Sequence, residues 1–205
     1  MSPFENRCRE GHSWLYLPLM SRVGTIKMTA QQFLQLGEDP PGVRLELVDG
    51  EIVVSPSPIP RHSFTIVALG RIISTHVVDN DLGEVLTDVD TIFGEHDVRR
   101  PDLLFFRTSR RHFITDEAIE GAPDLAVEVL SPGSERTDRR DKFKQYAAGG
   151  VKHYWIVDPK QRTIEAYSLR KGKYVGRVRG SGPDVVRLPP FPKLEIPLAK
   201  LWRPK

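Results

Sequence analysis

The sequence is short of cysteine, because only Cys8 carries a thiol among 205 residues. A lone thiol excludes an intrachain disulfide and any zinc site built from several thiolates, and it favours a reducing compartment. Long apolar runs are also missing, since the early apolar stretch 14–20 is interrupted by Pro18 and is too short to span a membrane. We therefore expect a cytoplasmic protein that has no membrane association.

Neither sign of charge dominates, and no common enzyme motif is present. The 30 basic and 27 acidic residues give a formal net charge of +3, which permits a nucleic-acid partner without indicating one. The six histidines are dispersed without close ligand pairs, which argues against a local zinc motif. A glycine-rich phosphate loop, a nucleophile elbow and an H-E-x-x-H motif are all absent, so these enzyme classes have little support.

The length and the apolar content bound the domain organisation. With 39% apolar residues, the chain can form one full core and is short for two ordinary domains. Residues 1–27 show no sustained periodicity, so we predict a flexible N-terminal extension there. Residues 28–205 are then expected to form a single domain.

Local patterns predict alternating helices and strands. A capping-box pattern at Thr29 and Gln32 predicts a short helix that ends at Gly37, and an Asp-Gly turn predicts a hairpin over 44–55. Apolar spacing predicts longer helices over 63–78 and 134–148. Strands are predicted at 85–86, 89–93, 103–106 and 125–130, with a further hairpin at 153–157 and 163–168. The pattern favours an α/β or α+β domain with a mixed sheet.

A carboxylate inside an apolar strand is the strongest functional signal. Glu128 lies in a run from Asp124 to Ser131 that otherwise has the features of a buried strand. Burial of an unpaired charge is costly, so Glu128 needs a cation, a hydrogen-bond network or a metal. Asp102 opens another apolar strand, and carboxylates on adjacent strands could share one hard divalent ion. A buried salt bridge at Glu128 and ordinary turn chemistry at Asp102 are the structural alternatives.

Three further candidates have ordinary structural explanations. Lys142 shares a helix face with Asp138 and Tyr146, where a solvated Asp138–Lys142 pair is the favoured reading of the residues alone. Glu46 lies on the first hairpin and could face solvent or a cleft. His62, just before the first long helix, is more typical of a helix start than of a proton shuttle.

Six fragments occur in one order along the chain. They are Arg-Leu-Glu46-Leu-Val-Asp-Gly-Glu, Pro-x-Pro-x-x-His62, Pro101-Asp102, Glu128-Val-Leu-Ser-Pro132, Asp138-x-x-x-Lys142-x-x-x-Tyr146 and Gly150-Val-x-x-Tyr-Trp-Ile-Val-Asp158. From about Met28 to the end, the chain resembles the Uma family of restriction endonuclease-like proteins, within the PD-(D/E)xK nuclease superfamily. The resemblance implies a restriction endonuclease-like core, with a central mixed β-sheet flanked by helices and with N- and C-terminal β-hairpins.

The resemblance also implies a metal-dependent endonuclease acting on DNA. Asp102 and Glu128 are then the acidic members of the motif and hold Mg²⁺ or Mn²⁺, with the Val129 carbonyl as a further oxygen ligand. Such an ion activates a water molecule and offsets charge at the scissile phosphate.

The chain departs from the standard motif at its lysine. Leu130 stands two residues after the glutamate, where the motif has lysine, and it can neither orient water nor neutralise charge. The family pattern transfers this role to Lys142 on the following helix. By the same resemblance, Glu46 is an additional acid, and His62 and Tyr146 lie near the cleft.

Two other functions stay open at this stage. One is a catalytically inactive nucleic-acid-binding module of the same fold, which the missing motif lysine favours. The other is a protein-interaction or dimerisation domain in which Glu128 belongs to a buried ion pair. DNA is the expected partner, and the two-fold symmetry of DNA favours a homodimer. Possible DNA contacts, in clusters that are often only solvated surface, are Arg99, Arg100, Arg110, Arg111, Arg139, Arg140 and the turn 170–173.

Overall fold

A computed structural model of the protein describes residues 27–204, so the extension expected at 1–27 lies outside the described residues except for Lys27. The α-helices are α1 (Ala30–Leu34), α2 (Pro60–Asp79) and α3 (Phe143–Gly149). A π-helical turn, Thr137–Lys142, leads directly into α3, and 3₁₀ turns occupy Thr108–Phe113 and Leu198–Leu201. The strands are β1 (Val43–Val48), β2 (Glu51–Pro56), β3 (Gly83–Leu86), β4 (Thr91–Gly94), β5 (Asp97–Arg99), β6 (Leu103–Arg107), β7 (Leu125–Val129), β8 (His153–Asp158), β9 (Thr163–Arg170), β10 (Lys173–Ser181), β11 (Val185–Leu188) and β12 (Phe191–Pro197).

The central sheet has six strands in the order β10-β9-β8-β7-β6-β3. Only β7 and β8 pair in parallel, with Val129 opposite Val157, and the other neighbours are antiparallel. The mixed sheet that the sequence predicts is therefore confirmed. Because β7 and β8 run in the same direction, the β8–β9 turn lies at the end of the sheet where β7 finishes, and the β9–β10 turn lies at the opposite end.

A second sheet has the order β2-β1-β5-β4, and a third unit is the hairpin of β11 and β12. In the predicted hairpin, Val48 pairs with Glu51 across the Asp49–Gly50 turn. Asp49 and Gly50 both have positive φ, at 50° and 79°, as a tight turn of this kind requires. The hairpin carries Glu46 toward the end of β7 where the candidate site lies.

Helices cover the two faces of the central sheet. On one face, Leu69, Ile73 and Val77 of α2 belong to a core that includes Val127 and Trp155 of the sheet. On the other face, Tyr146 of α3 lies in a second core with Tyr154. Every residue of β7 is buried, which explains why its sequence is apolar apart from Glu128.

Several element bounds differ from the sequence predictions. Helix α2 begins at Pro60 and not at residue 63, because proline suits the first helical turn. The second predicted helix contains a π turn, and it ends at Gly150, whose φ of 87° is left-handed. The capping box of Thr29 and Gln32 is confirmed. Strands β5, β10, β11 and β12 were not predicted.

Among the helices of the described part of the chain, none is both long and apolar enough to cross a membrane.

Candidate active site

A cleft of about 70 Å³ lies at the end of β7. Its walls come from the first hairpin, the start of α2, the ends of β6 and β7, and the π turn. These elements are far apart in sequence, so only the folded chain brings their polar side chains together. The residues lining the cleft are Arg44, Glu46, Ser55, Pro56, Pro58, His62, Asp102, Glu128, Val129, Ser131, Ser134, Asp138 and Lys142.

Lys142 and Tyr146 both contact Glu128. The Nζ atom of Lys142 lies 2.9 Å from Oε2 of Glu128, and the Tyr146 hydroxyl donates to Oε1 at 2.6 Å. The same Nζ lies 3.5 Å from Asp138 Oδ1 and 3.7 Å from Glu46 Oε1. One ammonium group therefore lies among three carboxylates.

The π turn buries the Asp138–Lys142 pair. A π-helical turn is wider than an α-helical one and is frequent at functional sites. Asp138 is 2% exposed and Lys142 is 7% exposed, so the solvated pair favoured from the residues alone is wrong. Because Tyr146 follows Lys142 by one helical turn, the same face delivers both groups to Glu128.

Asp102 is held by the neighbouring strand and by α2. Its Oδ2 accepts the Val129 backbone N–H at 2.7 Å and lies 3.1 Å from Nε2 of His62. Its Oδ1 lies 3.5 Å from Nη1 of Arg44. Burial opposes ionisation, but the hydrogen bond with His62 and the charge of Lys142 together hold the pKa of Asp102 below its usual value.

Glu46 is buried and firmly paired. Its Oε2 accepts a hydrogen bond from Nη1 of Arg99 at 3.0 Å, and its Oε1 accepts the Arg100 backbone N–H at 3.0 Å. Burial again opposes ionisation, and the charges of Lys142 and Arg99 nevertheless lower the pKa of Glu46. Because only 5% of Glu46 is exposed, the alternative of a solvent-facing strand residue is excluded.

Glu128 has the opposite electrostatic balance. Burial raises the pKa of its carboxyl to about 8; Lys142 opposes this rise, and Asp138, Asp102 and Glu46 add to it. The positive charge of Lys142 is shared, since the surrounding carboxylates raise the pKa of the lysine against the effect of burial. Four carboxyl groups line the cleft, whereas Arg44 and Lys142 are its two lining arginine and lysine side chains.

His62 lies in the first turn of α2 and is buried, with only 6% of its surface exposed. Its Nε2 contacts Asp102, whereas its Nδ1 is buried and has no hydrogen-bond partner among the described residues. The structure therefore places His62 at the start of a helix and also beside the cleft.

Several arginines expected to contact DNA are engaged in ion pairs. Arg99 is 2% exposed and pairs with Glu46, so the expectation that it contacts DNA is wrong. Arg100 pairs with Asp39 and Asp90 through contacts of 2.6 and 2.9 Å. Similar contacts hold Arg111 to Glu84 and Arg139 to Glu135 and Glu165.

Sequence reasoning missed two cations of the site. Arg44 and Glu46 are two residues apart on β1 and therefore point to the same side of the strand, which is a signal that could have identified Arg44. Arg99 gave no such signal, because its contact with Glu46 depends on the pairing of β1 with β5.

Asp102, Glu128 and Val129 all line the cleft, as the expected metal ligands should. Over residues 27–204, no group of three or more His, Cys, Asp or Glu side chains forms a ready-made metal cage. Any ion held here would thus take its remaining ligands from backbone oxygens, water or substrate.

Comparison with known proteins identifies the family. The model of the family described as "Uma2: Putative restriction endonuclease" matches residues 30–199. The chain belongs to the Uma2 family. This confirms the resemblance seen in the sequence and supports a nuclease that acts on nucleic acid.

One solved structure confirms the fold. A crystal structure described as "a putative nuclease belonging to DUF820", from Anabaena variabilis ATCC 29413, matches with a TM-score of 0.70 and 24% identity, over 85% of this chain and 97% of that chain. The type IIG restriction endonuclease BpuSI matches with a TM-score of 0.36 and 15% identity, over 55% of this chain and 12% of that chain. The curated proteins contain no match.

Proposed function

We propose that this Uma2-family chain is a metal-dependent endonuclease that hydrolyses phosphodiester bonds in DNA. The observation that carries the proposal is the 2.9 Å approach of Lys142 Nζ to Glu128 Oε2. The standard motif supplies a cation two residues after its glutamate, where this chain has Leu130. Lys142 supplies that cation from the following helix.

The residues of the cleft fit a hard divalent cation. Asp102 and Glu128 offer carboxylate oxygens at the ends of adjacent strands, and Mg²⁺ is commonly held by one or two carboxylates together with waters and substrate phosphates. Burial is the main cause of the raised pKa of Glu128, and Asp138, Asp102 and Glu46 add to it, so a bound cation would favour the ionised carboxylate. We therefore assign Mg²⁺ or Mn²⁺ to Asp102 and Glu128, with the Val129 carbonyl as a further ligand.

The side chains around these ligands have distinct roles. A bound divalent ion lowers the pKa of water and offsets charge on the phosphate. Lys142 orients the attacking water or stabilises charge that develops on the phosphate. Tyr146 fixes Glu128 through its hydroxyl, and His62 fixes Asp102. Glu46 limits the motion of Lys142 by its charge.

Cleavage assays with matched variants test the proposal. Supercoiled and single-stranded DNA are incubated with Mg²⁺ or Mn²⁺ and with wild type, Asp102→Asn, Glu128→Gln or Lys142→Gln. We expect each variant to cleave at least about 100-fold more slowly, because each loses a preorganised charge. Lys144→Gln is the control, since Lys144 is exposed on the same helix. Intact metal-dependent cleavage by Glu128→Gln would refute the proposal.

One observation favours the catalytically inactive alternatives. Both carboxylate oxygens of Glu128 already have protein partners, Lys142 and Tyr146, so an ion pair satisfies the site without metal. If the chain is instead a nucleic-acid-binding or protein-interaction domain, we expect that the folded wild type neither cleaves DNA nor gains thermal stability from Mg²⁺ or Mn²⁺. The homodimer belongs to the nuclease proposal, and sedimentation equilibrium tests it separately.

A further inference from the structure

A basic pocket of about 530 Å³ lies outside the cleft. Four of its lining residues are cations that come from three parts of the chain: the start of α2, the β8–β9 turn and the C-terminal segment. The remaining lining is apolar and contains no acidic residue. The residues of this basic pocket are Arg61, Pro159, Lys160, Arg162, Trp202, Arg203 and Pro204.

Among the described residues, the cations of the basic pocket have no carboxylate counterion. Arg61, Lys160, Arg162 and Arg203 are exposed, and within residues 27–204 none has a carboxylate oxygen within 4.0 Å. Many arginines elsewhere differ, as the pairing of Arg99 with Glu46 at 3.0 Å illustrates. Like charges gathered around a concave surface produce a positive potential that attracts an anion.

Sheet topology places the basic pocket on the side of the candidate active site. Lys160 and Arg162 lie in the turn after β8, which runs parallel to β7 and finishes at the same end of the sheet. Glu128 and Val129 occupy that end of β7. Arg61 directly precedes His62 in the first turn of α2.

A depression of about 230 Å³ lies between the two sites. It shares Ser131 with the cleft and shares Arg61, Pro159 and Lys160 with the basic pocket. A continuous concave track therefore leads from the acidic cleft to the four cations.

The floor of the basic pocket favours phosphate over base recognition. Trp202 is only 7% exposed, and its indole N–H already donates to the Gly182 carbonyl at 2.9 Å. The indole of Trp202 therefore offers little exposed surface on which a base could stack. At the start of α2 no side chain caps the helix and no acidic residue lies in the first turn, so the helix end adds positive potential beside Arg61.

We infer that the basic pocket binds backbone phosphates of the DNA strand whose scissile phosphate occupies the cleft. This inference rests on the proposed nuclease function and adds a binding site to it. Contacts of this kind position the strand and carry no sequence information. The chemical class of the ligand is therefore a phosphodiester backbone, recognised by charge from Lys160, Arg162 and Arg203 and by Arg61 nearest the cleft.

The test compares two triple variants that remove equal charge. The pocket variant combines Lys160→Gln, Arg162→Gln and Arg203→Gln. The control combines Arg170→Gln, Lys171→Gln and Lys173→Gln in the exposed β9–β10 turn. The sequence offered this turn as a possible DNA contact, but it lies at the end of the sheet opposite the cleft, so it tests whether loss of any three cations weakens binding. Each triple includes one residue with left-handed backbone, Arg162 at φ 55° or Lys171 at φ 51°, so backbone effects are matched.

Both triples are made in the Glu128→Gln background, and binding of fluorescein-labelled single-stranded and duplex DNA is followed by anisotropy over a range of salt concentrations. We expect the pocket variant to bind DNA at least about tenfold more weakly. The slope of the logarithm of the binding constant against the logarithm of salt concentration should become shallower by about 0.7 to 0.9 for each phosphate that the protein no longer neutralises. The control should change by less than about twofold, because it leaves the pocket intact. Thermal midpoints confirm that both variants are folded.

The outcomes separate this inference from the nuclease proposal. Equal weakening of binding in the two triples, or no binding of either DNA by the parent, would overturn the inference. Cleavage by the wild type, with an unchanged KM when the same three pocket substitutions are made in the wild-type background, would also overturn it and leave the nuclease intact. Selective loss of binding in a protein whose wild type never cleaves would support the basic pocket and refute the proposed chemistry.

Discussion

Two buried carboxylates, one just before β7 and one within it, differ in how the surrounding groups compensate for burial. Asp124, just before β7, is fully buried, and it accepts the Arg107 backbone N–H at 3.0 Å and Lys152 Nζ at 2.7 Å. Glu128, within β7, shares Lys142 with other carboxylates. Despite burial, its hydrogen bonds and nearby cations lower the pKa of Asp124, whereas burial raises that of Glu128.

The comparison shows how a structural acid differs from a candidate catalytic one. Asp124 has dedicated partners, and the guanidinium groups of Arg107 and Arg110 also lie 3.8 Å away. Glu128 has one cation that is divided among several acids. A buried carboxylate alone is therefore weak evidence of function, and the local balance of charge is the informative quantity.

We expect the largest change in stability when Asp124, whose charge has dedicated partners, is removed. Asp124→Ala should lower the free energy of unfolding by about 2 to 3 kcal/mol, because the partly buried Arg107 backbone N–H loses its acceptor and Lys152 loses its counterion. Urea denaturation measures the change. Asp116→Ala is the control, because Asp116 is exposed and should shift stability by less than about 0.5 kcal/mol. Equal destabilisation of both variants would contradict the structural role of Asp124.

We expect a divalent metal ion to bind beside Glu128 and not beside Asp124. At about 100 times its dissociation constant, Mg²⁺ or Mn²⁺ should stabilise the wild type by about 2.7 kcal/mol, and chelation should reverse the gain. Asp124→Asn should keep this response and Glu128→Gln should lose most of it. Differential scanning calorimetry measures it, and an equal response in Glu128→Gln would remove Glu128 from the metal site.

The contributions of Glu128 and Asp124 to the free energy of unfolding should change with pH in opposite directions. The folded-state pKa of Glu128, about 8, lies above its ordinary 4.5, so the folded state binds more protons between these values. Stability of the metal-free protein should therefore fall as pH rises through this window. Because the pKa of Asp124 is lowered below 3.8, its contribution should instead be lost as pH falls below that value.

Thermal melts in chelator from about pH 5 to about pH 9 measure the effect of Glu128. Glu128→Gln should flatten the decline and be more stable than wild type at the alkaline end by about 1 to 2 kcal/mol. Glu117→Gln serves as an exposed control. A wild-type decline that persists unchanged in Glu128→Gln would assign the titration to another group.

The smallest expected effect concerns the hydroxyl that orients Glu128. Tyr146→Phe should cost about 1 kcal/mol of stability and slow cleavage severalfold, because Glu128 loses a hydrogen bond of 2.6 Å. Tyr174→Phe is matched to it, since its hydroxyl donates to the Val151 carbonyl at 3.0 Å away from the cleft. Comparable slowing of cleavage in the two variants would argue against a positioning role for Tyr146.

The first hairpin and every strand of the central sheet except β10 were predicted from the sequence because their signals are local. Apolar runs at β6 and β7 and the Asp-Gly turn after β1 require no knowledge of distant partners. Strand β5 has three residues, and its pairing with β1 involves Leu47 and Val98, which are far apart in sequence. Short strands with such partners carry too little pattern to be recognised.

The candidate site was only partly visible for a similar reason. Glu128 could be singled out because a carboxylate in a buried strand demands compensation. Lys142 required the family pattern, since a lysine four residues after an aspartate is ordinary on a solvated helix. Its burial depends on the π turn, which no spacing of residues in the sequence revealed.

The delivery of Lys142 from a helix has an evolutionary consequence. When a motif places its lysine on the same strand as its acid, one insertion or deletion between them destroys the arrangement. Here the segment between β7 and the π turn can change in length while helix packing keeps the ammonium group beside Glu128. Homologues with this arrangement can therefore drift beyond recognition by motif spacing and still keep the same cluster in space.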